Sequence, residues 1–165
     1  MNSEARSGFL WTLELEHADG TIEREQVRNL IPEEGLNHMQ SVVFKGASQV
    51  ATWYIALFEG NYTPTGGITA ATFPSVATEC TAYTPSTRPE FVEGSVVSGG
   101  VDNAASRAEF TFTANKTVYG GVITSASAKG ATTGLLMSAV RFSSPKVCEV
   151  GAVLRVVAAN SLISA

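Results

Sequence analysis

The sequence predicts a mainly β protein: an antiparallel β-sandwich of the jelly-roll-like kind with one short α-helix. Apolar residues make up 44% of the chain and charged residues only 16%, and the 15 glycines supply turns between short runs. Runs in which apolar and polar residues alternate outnumber runs with helical spacing. At 165 residues the chain fits one ordinary domain. We therefore expect a flexible N-terminal arm at 1–8 and a single β-sandwich domain at 9–165.

The first predicted element is a β-hairpin with one charged strand. Residues 9–16 alternate apolar and polar side chains, which is the period of a half-buried strand. Asp19 and Gly20 supply a tight turn, and residues 21–27 return as the partner strand. Because this second strand is rich in Glu and Arg, we expect it to be a protected edge of its sheet.

A helix is predicted over residues 32–45. Pro32 suits the first helical position, two glutamates follow at the positive end of the helix dipole, and a basic residue and a glycine close the segment. Leu36, Met39 and Val43 recur at helical spacing and should form the apolar face.

The remaining strands are predicted from β-prone runs separated by turn residues. Residues 52–58 have no polar face, so this strand should be central and covered on both sides. Four further runs follow near the C-terminus, at 108–113, 118–124, 135–142 and 153–158. Pro145 and Lys146 are expected to form a turn after the third of these runs.

Between the two groups of strands lies a long segment, 60–100, that is rich in Thr, Pro and Gly. A compact domain rarely keeps so long a connection without a use for it, so we expect this segment to contact partner subunits. A short helical turn at 74–79 and a strand at 81–83 are expected within it. Four aromatic residues should be exposed there as apolar anchors: Tyr62, Phe73, Tyr83 and Phe91. Arg88 should reach a carboxylate on the partner.

No arrangement of residues in the sequence indicates catalysis, a metal site or a cofactor. His17 and His38 belong to no triad or metal-binding pattern, and Cys80 and Cys148 lack the spacing of a metal site or a disulfide framework. We therefore expect that the protein is not an enzyme and binds no cofactor, and that both cysteines are free thiols.

Charge and hydropathy limit the partners. The net charge is −4 and the basic residues are scattered singly, whereas binding to nucleic acid requires clustered cations. No apolar run is long enough to cross a membrane, and the polar first seven residues lack the apolar region of a signal peptide. We therefore expect neither a nucleic acid nor a membrane partner, and synthesis in a cytoplasm.

Two groups of motifs resemble small structural proteins encoded in the head modules of tailed bacteriophages. The first consists of NLIPEEGLN at 29–37 and TWYIALF at 52–58. The second consists of AEFTF at 108–112, VYGG at 118–121, TTGLL at 132–136, RF at 141–142 and GAVLRV at 151–156. These motifs are packing and turn sequences that span most of the chain.

This resemblance implies a virion protein, a capsid cement or head-decoration protein that binds between subunits of the major capsid protein and stabilises the head. It further implies copies of the chain itself as partners, in a homo-oligomer on the capsid surface. Thr- and Gly-rich sandwiches of this kind also occur in tail and fibre proteins, so a tail or fibre-associated subunit is the first alternative. A carbohydrate-binding module is the second, because the chain contains several Trp and Tyr residues.

Overall fold

The computed structural model describes residues 7–162, so the arm expected at 1–8 lies mostly outside the described residues, and Ser7 and Gly8 already belong to the first strand. The elements in chain order are β1 (Ser7–Glu16), β2 (Ile22–Arg28), α1 (Glu33–Lys45), β3 (Trp53–Phe58), α2 (Phe73–Val76), β4 (Glu79–Cys80), β5 (Tyr83–Thr84), β6 (Glu90–Phe91), β7 (Gly100–Asp102), β8 (Ala108–Phe112), β9 (Lys116–Thr124), β10 (Leu136–Cys148) and β11 (Val153–Leu162).

Two antiparallel sheets form the predicted β-sandwich. The first sheet has the order β2-β1-β11-β8-β5, and β7 also pairs with β11. The second sheet has the order β10-β9-β3-β4, and β6 also pairs with β3. The strands nearest the two ends of the chain lie side by side, because β1 pairs with β11 from Ser7 opposite Leu162 to Glu16 opposite Val153. The charged strand β2 is an edge strand, as predicted.

The main hydrophobic core lies between the sheets and follows from the alternation in the strands. Every second residue of β1, beginning with Phe9, points into this core, and so does every second residue of β11 from Leu154 to Ala158. Trp11 is fully buried, and its indole nitrogen donates a hydrogen bond to Ser138 Oγ on β10 at 3.1 Å. The two sheets are thus joined by apolar packing and by a buried polar contact.

A second, smaller core covers the outer face of the second sheet. Ile55 and Leu57 of β3 belong to the main core, whereas Ala56 and Phe58 belong to the second one. Residues from the long segment, including Ile68 and the helical turn α2, lie over the latter pair. This arrangement confirms that β3 is covered on both sides.

Helix α1 forms close to where the sequence predicts it. It begins at Glu33, with Pro32 as the residue before the first helical turn, and it ends at Gly46, which adopts a left-handed conformation with φ 68°. Its first turn is tied to the second sheet. The Glu34 carboxylate accepts hydrogen bonds from the backbone nitrogens of Leu136, at 2.7 Å, and Ala70, at 2.9 Å.

The prediction of a turn at Pro145 and Lys146 is wrong, because β10 continues through this position to Cys148. The pairing of β10 with β9 is instead interrupted between Arg141 and Lys146 by a register irregularity. A proline removes one backbone donor from a ladder, and a bulge accommodates this loss without ending the strand.

Candidate interaction surface

The four aromatic residues expected as exposed anchors are packed inside the protein or against it. Phe73, Tyr83 and Phe91 are buried and Tyr62 is half-buried. Each ring meets another aromatic ring edge-on: Tyr62 and Phe73 meet Phe58, Tyr83 meets Phe110, and Phe91 meets Phe9. The expectation of exposure is therefore wrong. Tyr62 and Phe73 pack on the outer face of the second sheet, whereas Tyr83 and Phe91 lie on short strands and belong to the main core.

Arg88 is likewise directed inward. Its guanidinium forms a buried ion pair with Glu79, with Nη2 and Oε2 2.7 Å apart, and only 1% of the Arg88 side chain is exposed. The prediction that Arg88 reaches a carboxylate on a partner protein is therefore wrong, because its carboxylate partner is Glu79 of the same chain. Arg88 is therefore not available to a second protein.

The apolar side chains that remain exposed include several on α1. We call Leu36, Met39 and Val43 the α1 stripe. Leu36 is 45% exposed, Val43 69%, and Phe44 beside the stripe 75%. Only Met39 packs against the core, and it does so partly. The prediction that this face packs on the sandwich is therefore wrong for Leu36 and Val43.

The exposure of the α1 stripe follows from where the helix touches the sheet. Gly35 is the buried residue of α1, and a Cβ atom there would lie 3.0 Å from the carbonyl oxygen of Leu136 and 3.1 Å from the Cα of Met137. The close contact is thus made by the backbone of the first turn. Since the contact is centred on Gly35, the last turn of α1 is not covered by the other described residues, and Val43 and Phe44 remain exposed.

Met39 connects the α1 stripe to an apolar groove with a cavity volume of about 300 Å³. The groove lies at the end of the sandwich where β1 begins and β11 ends. Its apolar lining comes from both sheets and from α1, and includes Phe9, Met39, Trp53, Phe91, Ile123 and Met137. Its polar lining residues are Gln49, Glu93 and Asn160.

Residues 92–99, which we call the strap, form the far wall of the groove. The strap is held by backbone hydrogen bonds, from Gly94 N to the Asp102 oxygen at 2.7 Å and from Leu162 N to the Gly99 oxygen at 3.0 Å. Val96 and Val97 are 74% and 68% exposed, and Val96 lines the groove. Within the long segment, the strap thus carries the apolar side chains with the largest exposed fractions.

Met39 of the α1 stripe and Val96 of the strap both line the groove, and we call the stripe, the groove and the strap together the apolar end. Large exposed apolar patches on small proteins are typical of protein interaction sites. The sequence signal for this surface is a short run of adjacent apolar residues before polar or glycine residues: Val42-Val43-Phe44 before Lys45 and Gly46, and Val96-Val97 before Ser98 and Gly99.

None of the ion-paired residues among 7–162 lines the groove. His17 Nδ1 lies 3.0 Å from Glu149 Oε2 and its Nε2 lies 3.0 Å from Glu23 Oε1, and these contacts raise the pKa of the imidazole, the one with Glu149 most. On the outer face of the first sheet, Glu14 is paired with Arg24 and Arg155. Among residues 7–162, no group of three His, Cys, Asp or Glu side chains is placed to hold a metal ion.

No protein-family model, no curated protein and no solved structure matches the chain. Within the described range, no helix is both long enough and apolar enough to cross a membrane.

Proposed function

We propose that the protein is a structural component of a tailed-phage virion, a capsid cement protein that binds between subunits of the major capsid protein. The observation that carries this proposal is the apolar end, whose apolar side chains residues 7–162 leave exposed. The motifs that resemble phage head proteins are the reason for placing the partner in a capsid.

Covering this surface with another protein would be favourable. Removing the exposed area of Val43 and Phe44 from water contributes roughly 1–2 kcal/mol for each side chain. A small number of buried side chains carries most of the binding energy of a typical interface, so the loss of both residues should be measurable. The rest of the contact would then supply shape complementarity.

The sandwich is also suited to a protein that folds before it docks. Its main core is continuous between the two sheets, and the strands β1 and β11 are paired along their full lengths. Most preformed interfaces change little on binding. We therefore expect the apolar end to keep its shape when it meets the capsid.

The experiment compares exposed apolar residues on α1, which packs at the start of β10, with one near the other end of β10. The variant Val43→Ser/Phe44→Ser changes the apolar end. Val147→Ser is the control, because Val147 is 65% exposed and lies roughly 30 Å from Met137 along the strand. Each protein is added to heads assembled without it, and occupancy and the temperature of head disruption are measured.

We expect the double variant to lose at least tenfold in affinity for the heads and to stop raising their heat resistance, whereas Val147→Ser behaves as wild type. Equal occupancy for the double variant and wild type would contradict the proposed interface. The number of copies per particle distinguishes cement from the tail or fibre alternative, since cement follows the capsid lattice and a tail subunit is present in few copies.

A further inference from the structure

We propose that the apolar groove receives one large apolar side chain from a partner protein, and that a Lys or Arg next to that side chain pairs with Glu93. This inference rests on the proposed binding function, because it names the chemistry of the segment that the apolar end recognises.

The size of the groove fits one side chain. A volume of about 300 Å³ lies at the lower end of the range for ligand pockets, so it suits a single aromatic or long aliphatic group. The lining combines aromatic rings, such as Trp53 and Phe91, with two flexible thioethers, Met39 and Met137. Methionine side chains adapt to the shape of an apolar guest and make favourable contacts with aromatic rings.

The charge of the groove determines which type of residue is favoured next to that apolar side chain in the partner protein. Glu93 is the ionisable residue of the lining, and no Lys or Arg accompanies it there. Among residues 7–162, Glu93 takes part in no ion pair. A cation placed beside an apolar guest would meet this carboxylate, whereas an anion would be repelled by it.

The surroundings of the groove favour a polypeptide over a free small molecule. Met39 belongs both to the groove lining and to the α1 stripe, and exposed Val43 follows it by one helical turn. Val96, which also lines the groove, is itself exposed. A chain segment can fill the groove with one residue and cover these neighbours with the next ones.

The methionines provide a direct measurement. The chain has three, and two of them, Met39 and Met137, line the groove. With ¹³C-labelled methionine methyl groups, binding is followed by NMR during titration with acetyl-Gly-Trp-Lys-Gly-amide. The comparison peptides replace Lys by Glu or Trp by Ala, and free indole is the small-molecule probe.

We expect the Trp-Lys peptide to shift both groove methyl signals saturably, and the Trp-Glu peptide to bind several-fold more weakly. The Ala-Lys peptide should shift neither signal. Glu93→Gln should weaken binding of the Trp-Lys peptide about two- to fivefold, as expected for an accessible ion pair. Glu90→Gln is the matched control, because Glu90 is exposed, lies three residues away and does not line the groove.

Three results would overturn the inference: no shift of either methyl signal by the Trp-Lys peptide, equal binding of the Trp-Lys and Trp-Glu peptides, or binding of free indole as tight as that of the peptide. These outcomes are independent of the head-binding experiment. If the protein binds heads but no peptide, this inference alone fails. If it binds the peptide but no heads, the proposed cement function fails.

Discussion

Arg88 and Glu79 form a buried bidentate ion pair, with Nε of Arg88 donating to Oε1 of Glu79 at 2.9 Å and Nη2 donating to Oε2 at 2.7 Å. The same carboxylate accepts a hydrogen bond from Gly130 N at 2.8 Å, and the guanidinium donates to the Ala126 oxygen at 2.9 Å. The pair therefore ties the long segment to the loop between β9 and β10.

Loss of Arg88 should destabilise the protein strongly. In Arg88→Met the carboxylate of Glu79 stays buried without its cation, which costs about 3–5 kcal/mol. Urea denaturation measures this change in the free energy of unfolding. The control is Arg24→Met, because the Arg24 side chain in its ion pair with Glu14 is 66% exposed, and we expect a loss below about 1 kcal/mol there. Equal losses for the two variants would contradict the structural role of the buried pair.

His17 should make stability depend on pH. The hydrogen bond to Glu149, and then that to Glu23, raises the pKa of His17 in the folded protein. The stabilisation from these contacts is fully present below the unfolded pKa of about 6.5, and it is lost as the pH rises through the raised folded value. The difference in unfolding free energy between wild type and His17→Gln should therefore be larger at pH 5.5 than at pH 8.

The control for this measurement is the same His17→Gln change in a Glu149→Gln background, which lacks the carboxylate that raises the pKa of His17 most. The pH dependence should be smaller there. A pH-independent effect of His17→Gln would show that the imidazole contributes only as a neutral hydrogen-bonding group.

A side chain at Gly120 should be incompatible with the packing of the second sheet. A Cβ atom there would overlap the carbonyl oxygen of Val140 and the ring of Phe58. We expect Gly120→Ala to cost about 3 kcal/mol or more, because both neighbours are held in the sheet and its outer core. Gly67→Ala is the control, since a Cβ atom at Gly67 meets nothing within 4 Å. Thermal unfolding measures both, and a Tm for Gly120→Ala within 2 °C of the control would contradict the packing.

The two cysteines should resist alkylation in the folded protein. Burial raises the pKa of Cys80 to about 11 and that of Cys148 to about 12, and both thiols are free. Because the thiolate is the reactive form, labelling by iodoacetamide at pH 8 should be at least about 100-fold slower than for an exposed cysteine introduced as Ser48→Cys. Mass spectrometry follows the labelling of each site. Rapid modification of either native thiol would mean that its strand opens readily.

Local patterns in the sequence determined the regular elements of this protein. The alternation in β1, the Asp19-Gly20 turn and the charged edge strand β2 depend on the period and the backbone preferences of neighbouring residues, so they were predictable. The same holds for α1, whose end at Gly46 follows from the left-handed conformation that glycine adopts easily.

Only the tertiary structure decided which apolar residues are buried. Phe73 and Phe91 lie in a segment without regular spacing. Phe73 is buried because this segment covers the outer face of the second sheet, and Phe91 is buried because β6 joins that sheet and faces the main core. Val43 has the spacing of a core residue and is exposed, because α1 contacts the sheet through Gly35 in its first turn. Burial depends on which layer the rest of the chain places above a side chain, and that placement arises from contacts between residues far apart in sequence.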